Sequence, residues 1–373
     1  MRHGTFVLLL LVAAMSLPTA GPAVAVTFTP TVVDANGPPK IWGKGVGDLN
    51  GDGRADLIVG SRVGGLFWYQ NPTWTKRTIS ARAIVEEDMA VADLDRDGRR
   101  DVIAVGSQGL NWFRNTRDGW RRQTLVGGPN QHDVVVADLD RDGRLDLAAR
   151  DQGADGNVLY FWRQVTLTNW TRGTESLPTG GEGLATADID RDGRVDLVAG
   201  EYWFENTSRQ GEISFRRHLY STRAAQDSYV ATGDINRDGR VDIITSPAEP
   251  PRQYHATLWF EAPRDPIDGT WVPHIIEGGV ERVTHFVGVA DLDLDGDLDV
   301  ASALTQKALN PQIKLHLNRN GTGQFGDPIV IDRRSSHSMK FVRVGSDAGL
   351  SLFGADYDTP VRTTVRLYRW RRG

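Results

Sequence analysis

The sequence contains no cysteine, so no disulfide bond can stabilise this chain of 373 residues. It also lacks a G-x-S-x-G motif, a P-loop and a dinucleotide-binding fingerprint in a strand–helix context, which argues against the common hydrolase, NTPase and dehydrogenase folds. No basic run or nucleic-acid recognition motif is present, and we expect no nucleic-acid partner. A fold of this size without disulfides needs other means of stabilisation, and bound metal and ring closure are the candidates.

Long apolar segments are equally scarce. The apolar stretch from Phe6 to Met15 is too short to span a bilayer, and we expect no membrane span elsewhere. Arg2 precedes this stretch, and Ala23-Val24-Ala25 follows it as an A-x-A cleavage site. Residues 1–25 are therefore predicted to be a signal peptide and 26–373 a single secreted domain. An uncleaved anchor is the alternative.

One acidic pattern recurs along the chain, D-x-[DN]-x-D-G-x-x-D between two short apolar runs. Its copies are spaced by roughly 45 to 57 residues, which is the length of a propeller blade. The copies begin at Asp48, Asp93, Asp138, Asp188, Asp234 and Asp291.

Each copy has the donor set of a calcium loop. Calcium prefers six to eight oxygen ligands, and the short acidic side chains at positions 1, 3, 5 and 9 and the carbonyl at position 7 supply them. The glycine at position 6 permits the sharp turn. We therefore predict about six structural Ca²⁺ ions. The predicted ligands are Asp48, Asn50, Asp52, Arg54, Asp56; Asp93, Asp95, Asp97, Arg99, Asp101; Asp138, Asp140, Asp142, Arg144, Asp146; Asp188, Asp190, Asp192, Arg194, Asp196; Asp234, Asn236, Asp238, Arg240, Asp242; and Asp291, Asp293, Asp295, Asp297, Asp299. The side chains of the position 7 arginines are expected to be solvated.

The segments around these loops predict four β-strands per repeat and an all-β fold. Aromatic third strands such as Phe67-Trp68-Tyr69 are expected to pack between blades. A seventh repeat without the aspartates spans Met339 to Tyr368 and lacks a fourth strand. The stretch from Phe28 to Val33 resembles that missing strand. We therefore predict a seven-bladed β-propeller in which the N-terminal strand closes the last blade.

These loops and strands resemble the FG-GAP/VCBS repeats of integrin α-chain propellers, and the resemblance covers nearly all of residues 26–373. It implies a calcium-binding β-propeller. Propellers of this type occur in carbohydrate-binding lectins and in sugar dehydratases, and some polysaccharide lyases are propellers. The chain lacks the cupin domains that accompany the dehydratase propeller.

The charge distribution bears on the partner. The formal net charge is −5 at pH 7, and most of the acidic excess lies in the six loops. Calcium binding would leave an arginine-rich, mildly basic surface that suits acidic ligands such as uronic-acid sugars. Extracellular carbohydrate is therefore the expected partner, and a protein partner is the alternative.

The residue six places before each acidic loop, and the residue six places before Arg343, which aligns with the first Asp in the seventh repeat, should lie at one mouth of the central channel. This mouth is on the face opposite to the calcium loops. Three of these seven residues are histidines and two are glutamates. They are Trp42, Glu87, His132, Glu182, Ser228, His285 and His337. The candidate catalytic residues are Glu87, His132, Glu182, His285 and His337.

Two chemistries fit this set. Three imidazoles and a carboxylate could bind zinc or another transition metal. Alternatively, the side chains could act as acid and base in a sugar lyase or dehydratase. A non-catalytic lectin and an integrin-like adhesion or interaction module are the alternatives to an enzyme, since the fold alone does not decide function.

Overall fold

The computed structural model describes residues 26–126, 131–151, 158–176, 181–223, 228–248, 256–280, 284–305, 307–355 and 363–373. The predicted signal peptide lies outside these residues. The described residues form strands and no helix, and these strands assemble into seven four-stranded sheets. The described part of the chain contains no helix that is long and apolar enough to cross a membrane.

Blades 1 to 3 follow one another along the chain. Each sheet has its strands in sequence order and all neighbours are antiparallel. Their strands are β2 (Ile41–Gly47), β3 (Asp56–Ser61), β4 (Leu66–Gln70), β5 (Thr75–Ser80); β6 (Met89–Ala92), β7 (Asp101–Ala104), β8 (Leu110–Thr116), β9 (Gly119–Val126); and β10 (Gln131–Ala137), β11 (Asp146–Asp151), β12 (Val158–Gln164), β13 (Trp170–Ser176).

Blades 4 to 6 repeat this arrangement. Their strands are β14 (Ala185–Ala187), β15 (Asp196–Ala199), β16 (Tyr202–Asn206), β17 (Phe215–Leu219); β18 (Ser228–Gly233), β19 (Asp242–Pro247), β20 (Ala256–Glu261), β21 (Val272–Gly278); and β22 (Thr284–Ala290), β23 (Asp299–Leu304), β24 (Ile313–His316), β25 (Ile329–Asp332).

Blade 7 combines both ends of the described chain. It contains β26 (Lys340–Val342), β27 (Ser351–Ala355), β28 (Thr363–Arg372) and, as its outer strand, β1 (Val26–Gly37). Strand β1 runs antiparallel to β28, from Val26 opposite Arg372 to Gly37 opposite Thr363. The prediction that the N-terminal strand closes the last blade is therefore confirmed, and this strand extends beyond Phe28 to Val33 at both ends.

The first strand of each blade lies nearest the axis. First strands contact each other in five pairs of adjacent blades, including β26 of blade 7 with β2 of blade 1. Each of the seven hydrophobic clusters joins residues of two neighbouring blades. The third-strand tryptophans Trp112, Trp162, Trp203 and Trp259 are fully buried in these clusters. The prediction that third-strand aromatics pack between blades is correct for these four, because burial removes their apolar area from water.

Side-chain amides also connect consecutive blades. In four blades an Asn or Gln at or just after the end of the third strand donates to a carbonyl in the acidic loop of the preceding blade, at 2.8 to 3.0 Å. The bonds run from Asn115 to Leu49, from Gln164 to Leu94, from Asn206 to Leu139 and from Asn318 to Ile235. In blade 7 the indole Nε1 of Trp370 donates to the carbonyl of Leu292 at 2.8 Å. The acidic loops are therefore part of the interface between blades.

Candidate functional site

The six acidic loops all connect a first strand to a second strand, as predicted. In each loop the glycine at position 6 has a positive φ and donates its N–H to the carboxylate at position 1, at 2.8 to 3.1 Å. Position 4 also has a positive φ, which the sequence did not indicate because it is Gly only in the first loop and Arg or Leu in the others. These two left-handed residues fold the loop around the side chains at positions 1, 3 and 5.

The aspartate at position 9 begins the second strand and is buried in every loop. Its two carboxylate oxygens accept backbone N–H groups from position 2 and from the end of the third strand. For Asp196 these donors are Ile189 at 2.8 Å and Asn206 at 2.7 Å. Burial raises the pKa of the position 9 carboxyls to about 6 for Asp56 and Asp101 and to about 7 for Asp146, Asp196, Asp242 and Asp299.

The carboxylates of four loops fit a cation. In these loops one oxygen from each of three aspartates lies within 4.8 Å of the others, at positions 1, 3 and 9 in blades 2 to 4 and at positions 1, 3 and 5 in blade 6. The Oδ1 atoms of Asp138, Asp188 and Asp291, all at position 1, are buried and accept no hydrogen bond. An all-oxygen set with unsatisfied buried oxygens matches the preference of calcium.

In four of the five loops that carry an arginine at position 7, its side chain is paired although 19 to 36% of it stays exposed. Each of the four pairs with the position 5 carboxylate of its own loop, and its Nε donates to the carbonyl of the residue just after, or at the end of, the third strand. They are Arg99, Arg144, Arg194 and Arg240. These side chains are therefore partly solvated and also connect the loop to the third strand, because a backbone carbonyl and a carboxylate lie within reach of each guanidinium.

Blade 7 has an ion pair where the other blades have an acidic loop. Asp347, between β26 and β27, contacts Arg369 at 2.9 Å and Arg371 at 3.4 Å. Both arginines lie on β28, so these ion pairs connect the loop between β26 and β27 to its own sheet. This agrees with the prediction that the seventh repeat has lost its metal ligands.

The predicted channel-mouth residues converge. The Nε2 atom of His132 lies 3.0 Å from an oxygen of Glu87 and 3.3 Å from an oxygen of Glu182. Its Nδ1 atom lies 3.1 Å from Asp133. On the other side, Glu182 lies 3.5 Å from Nδ1 of His285. Equivalent positions in four blades thus contact one another, although they are far apart in sequence.

The contacts continue through the remaining blades. The rings of His285 and His337 lie 4.7 Å apart, and His337 stacks on Trp42 at 4.8 Å. Tyr229, which follows the ring position Ser228, lies 5.6 Å from His285. The five candidate catalytic residues are at most 6% exposed. They form a compact polar layer across the channel, which we term the mouth cluster: Trp42, Glu87, His132, Asp133, Glu182, Tyr229, His285 and His337.

A cavity of about 410 Å³ adjoins the mouth cluster. It is lined by Glu87, His132, Tyr229, His285 and His337 and continues along the first strands past Phe286 and Phe341. The volume is in the range of small-molecule sites, and the lining combines apolar walls with a few polar groups, as such sites do.

Two histidines of the mouth cluster have pKa values that are shifted in opposite directions. Burial disfavours the charged form of His132, but the carboxylates of Glu182, Glu87 and Asp133 outweigh it and raise its pKa well above the ordinary value. Burial instead lowers the pKa of His337 well below that value, and His285 lowers it further. The cluster therefore places a protonated and a neutral imidazole within one layer.

The pKa values of the two glutamates of the mouth cluster are also shifted in opposite directions. Burial raises the pKa of Glu87. Burial acts on Glu182 in the same direction, but the charge of His132 outweighs it and holds the pKa of Glu182 well below its usual range. Glu182 is thus the principal counter-ion of His132.

Other residues that sequence reasoning did not assign support this arrangement. The guanidinium of Arg150, buried on β11, donates to the carbonyl oxygens of Glu182 and Gly183. Gly183 has a φ of +88°, and a Cβ there would lie 2.1 Å from the carbonyl of Ser228. Its N–H donates to Asp133 at 2.8 Å. The spacing rule located Glu182 but could not reveal the backbone turn that orients it.

Some predicted features lie elsewhere. Residues 249–255, between β19 and β20, fall outside the described residues. His218 and His274, on the fourth strands of blades 4 and 5, are half-buried and stack on Trp203 and Trp259 at 4.6 and 4.2 Å. At the mouth cluster, the described residues form no group of three or more side chains whose metal-ligand atoms all lie within 4.8 Å of one another.

The raised pKa of His132 predicts a pH-dependent stability. Its folded pKa lies above the ordinary value of 6.5, so its stabilising effect is complete below about pH 6.5 and is lost as the pH rises through the folded pKa. We expect the free energy of unfolding at saturating calcium to fall as the pH rises above about 6.5. The variant His132→Gln should be destabilised by about 3 to 5 kcal/mol near pH 6.5 and should lose this slope. Urea titrations at several pH values measure both, with His274→Gln as control; the same slope in both variants would contradict the assignment.

Comparison with known proteins agrees with this architecture. The FG-GAP-like repeat family matches residues 48–104 and 93–149. No curated protein sequence matches the chain.

Solved structures resemble the chain over nearly its full length. An Agrocybe aegerita lectin described as recognising non-reducing terminal N-acetylglucosamine has 14% identity and a TM-score of 0.57, over 95% of this chain and 96% of that chain. BBS1N, in complex with ARL6DN, has 11% identity and a TM-score of 0.59, over 94% and 98%. At such identities the likeness concerns the fold alone. The protein is a seven-bladed β-propeller with FG-GAP-like repeats.

Proposed function

We propose that this protein is a secreted, calcium-stabilised propeller that binds carbohydrate in the cavity beside the mouth cluster and catalyses an elimination there. The observation that carries the proposal is the pair of histidines with oppositely shifted pKa values, His132 and His337, at the wall of one cavity. Groups whose environments separate their pKa values in this way are typical of acid–base sites.

The proposed reaction needs no oxidant and no added water. The imidazole of His337, whose pKa is lowered, or that of its neighbour His285 takes a proton from a sugar carbon next to a carbonyl or carboxyl group. The electron pair of that C–H bond forms a carbon–carbon double bond, and the C–O bond on the next carbon breaks. Protonated His132 gives its proton to the departing oxygen. Glu182 and Glu87 hold the imidazolium of His132 in place.

Three further observations support a sugar as the ligand. The cavity has the volume of a small-molecule site. Its lining includes the aromatic residues Tyr229, Phe286 and Phe341, and aromatic rings suit the apolar faces of sugar rings. The Agrocybe aegerita lectin, with the same architecture, recognises a sugar by its description.

The experiment is a screen of neutral and uronate-containing glycans for unsaturated products, with binding measured in parallel. We expect His337→Ala and His285→Ala to lose turnover by at least about 100-fold, the usual contribution of a general acid or base. His274→Ala, on the outer strand of blade 5, is the control and should keep full activity. If no glycan gives an unsaturated product, the proposed catalysis is contradicted and only the binding of carbohydrate remains.

A non-catalytic lectin or an interaction module is the second candidate. The two structural neighbours favour it, since one is described as a lectin and the other as being in complex with ARL6DN. Glycan binding that is unchanged in His285→Ala and His337→Ala would support this candidate.

A transition metal at the mouth cluster is a separate proposal. Imidazole and carboxylate suit zinc or a related ion, but His132 is already engaged by carboxylates on both ring nitrogens. Elemental analysis of the purified protein tests for a metal other than calcium.

A further inference from the structure

The outer strands of blades 1 to 4 carry a cation at one equivalent position. In each blade it follows an aromatic residue by two places and faces an aromatic residue of the third strand. The four cations are Lys76, Arg122, Arg172 and Arg217, opposite Tyr69, Phe113, Trp162 and Phe204 respectively. We term these four cations the basic arc.

Each member of the basic arc lies over a third-strand ring. The distances to the ring centroids are 5.4 Å for Lys76 over Phe67, 6.0 Å for Arg122 over Phe113, 5.8 Å for Arg172 over Tyr160 and 5.0 Å for Arg217 over Tyr202. All four cations are exposed. The ring restricts the conformations of the cationic side chain, while the charged group of that side chain stays in contact with water and can bind an anion.

The pattern stops after blade 4. Pro273 occupies the position in blade 5 and Pro30 in blade 7. In blade 6, Asp327 follows Phe325 by two places. Four consecutive blades thus share a cation that the other three lack, so the arc is confined to one side of the rim.

Neighbouring residues increase the positive charge of this side. Arg77, Arg121 and Arg216 lie next to members of the arc and are exposed. Lys76 pairs with Asp34 at 3.2 Å and Arg216 with Glu205 at 3.2 Å. Arg122 instead bonds the neutral side chains of Asn111 and Gln108, at 2.9 and 3.0 Å. Part of the positive charge is therefore not neutralised by these pairs.

From this arrangement we propose that the basic arc binds a polyanionic polysaccharide along the outer rim, with one carboxylate or sulfate of the polymer at each blade. A single exposed ion pair contributes little, but contacts repeated from blade to blade add up for a polymer that bears charge at regular intervals. The site is distinct from the cavity at the mouth cluster and does not depend on the elimination proposed there.

The experiment measures binding of polygalacturonate and of its oligomers to the calcium-loaded protein by isothermal titration calorimetry. We expect affinity to rise with oligomer length and to fall with added salt. The triple variant Arg122→Gln, Arg172→Gln, Arg217→Gln should bind the polymer about tenfold more weakly or worse. Melting curves verify that this variant stays folded.

The matched control removes three exposed arginines elsewhere, as Arg264→Gln, Arg333→Gln, Arg334→Gln, with the same change in net charge. It should bind as the wild type does. Equal loss in both triple variants would overturn the proposal, because net charge alone would then explain binding. Loss in His285→Ala would place the polymer at the mouth cluster, and equally tight binding of duplex DNA would show that the rim does not select glycans.

Discussion

Chelation of calcium should lower the melting temperature of this protein by more than about 10 °C. A ligand that binds only the native state stabilises it by about 2.7 kcal/mol per site at a concentration of 100 Kd, and six loops carry the donor set. Without the ion, buried carboxylate oxygens such as Oδ1 of Asp138 and of Asp291 stay unsatisfied, and three or more carboxylates repel one another in each fully acidic loop. Thermal melts with calcium and with a chelator measure the effect.

Two single variants sharpen this test. Asp293→Ala removes one ligand from the loop of blade 6, so the chelator should shift its melting temperature less than that of the wild type. Asp347→Asn breaks the ion pair of blade 7 with Arg369; it should lower the melting temperature in both buffers and leave the chelator shift intact. A wild-type protein that melts at the same temperature with and without chelator would refute structural calcium.

Deletion of Val26 to Asp34 should cause aggregation or a large loss of stability. It removes most of β1, so the edge of β28 is exposed to pairing with other chains. It also removes Phe28, which packs in the cluster between blades 6 and 7, and Asp34, which accepts a hydrogen bond from Tyr69 at 2.8 Å. Size-exclusion chromatography and thermal melts report the two effects.

Point variants separate burial from edge exposure. Phe28→Ala should cost about 3 to 5 kcal/mol, whereas Val32→Ala, at a position 56% exposed, should change stability by less than about 0.5 kcal/mol. A truncated protein that remains monomeric with an unchanged melting curve would show that the ring is held closed without β1.

The fold followed from the sequence because its signals repeat. Six copies of one acidic loop fixed the frame of the blades, and this frame placed the first strand and the residue six places before each loop. Residues as distant as Glu87 and His285 could therefore be assigned to one mouth. A lone motif would not have given this alignment.

The remaining features depend on contacts that spacing does not encode. Arg150 turns inward to hold the backbone of Glu182, although arginine on a strand is ordinarily exposed. The opposite pKa shifts of His132 and His337 arise from the number of carboxylates around each ring, since both are histidines at equivalent positions. The arginines at position 7 turned out to be structural because the third strand ends beside them.

The pairing of β1 with β28 also sets the order of events when the chain folds. Blades 1 to 6 each consist of consecutive strands, so they can form one after another from local contacts. Strand β1 is synthesised first but can pair only after β28, the last strand, has been synthesised. The entropy cost of closing a loop of nearly the whole chain opposes this pairing. Pro30, between Thr29 and Thr31, makes the waiting strand a poor partner for other edges. Closure of the ring is thus a single late step that no part of the chain can complete before β28 exists.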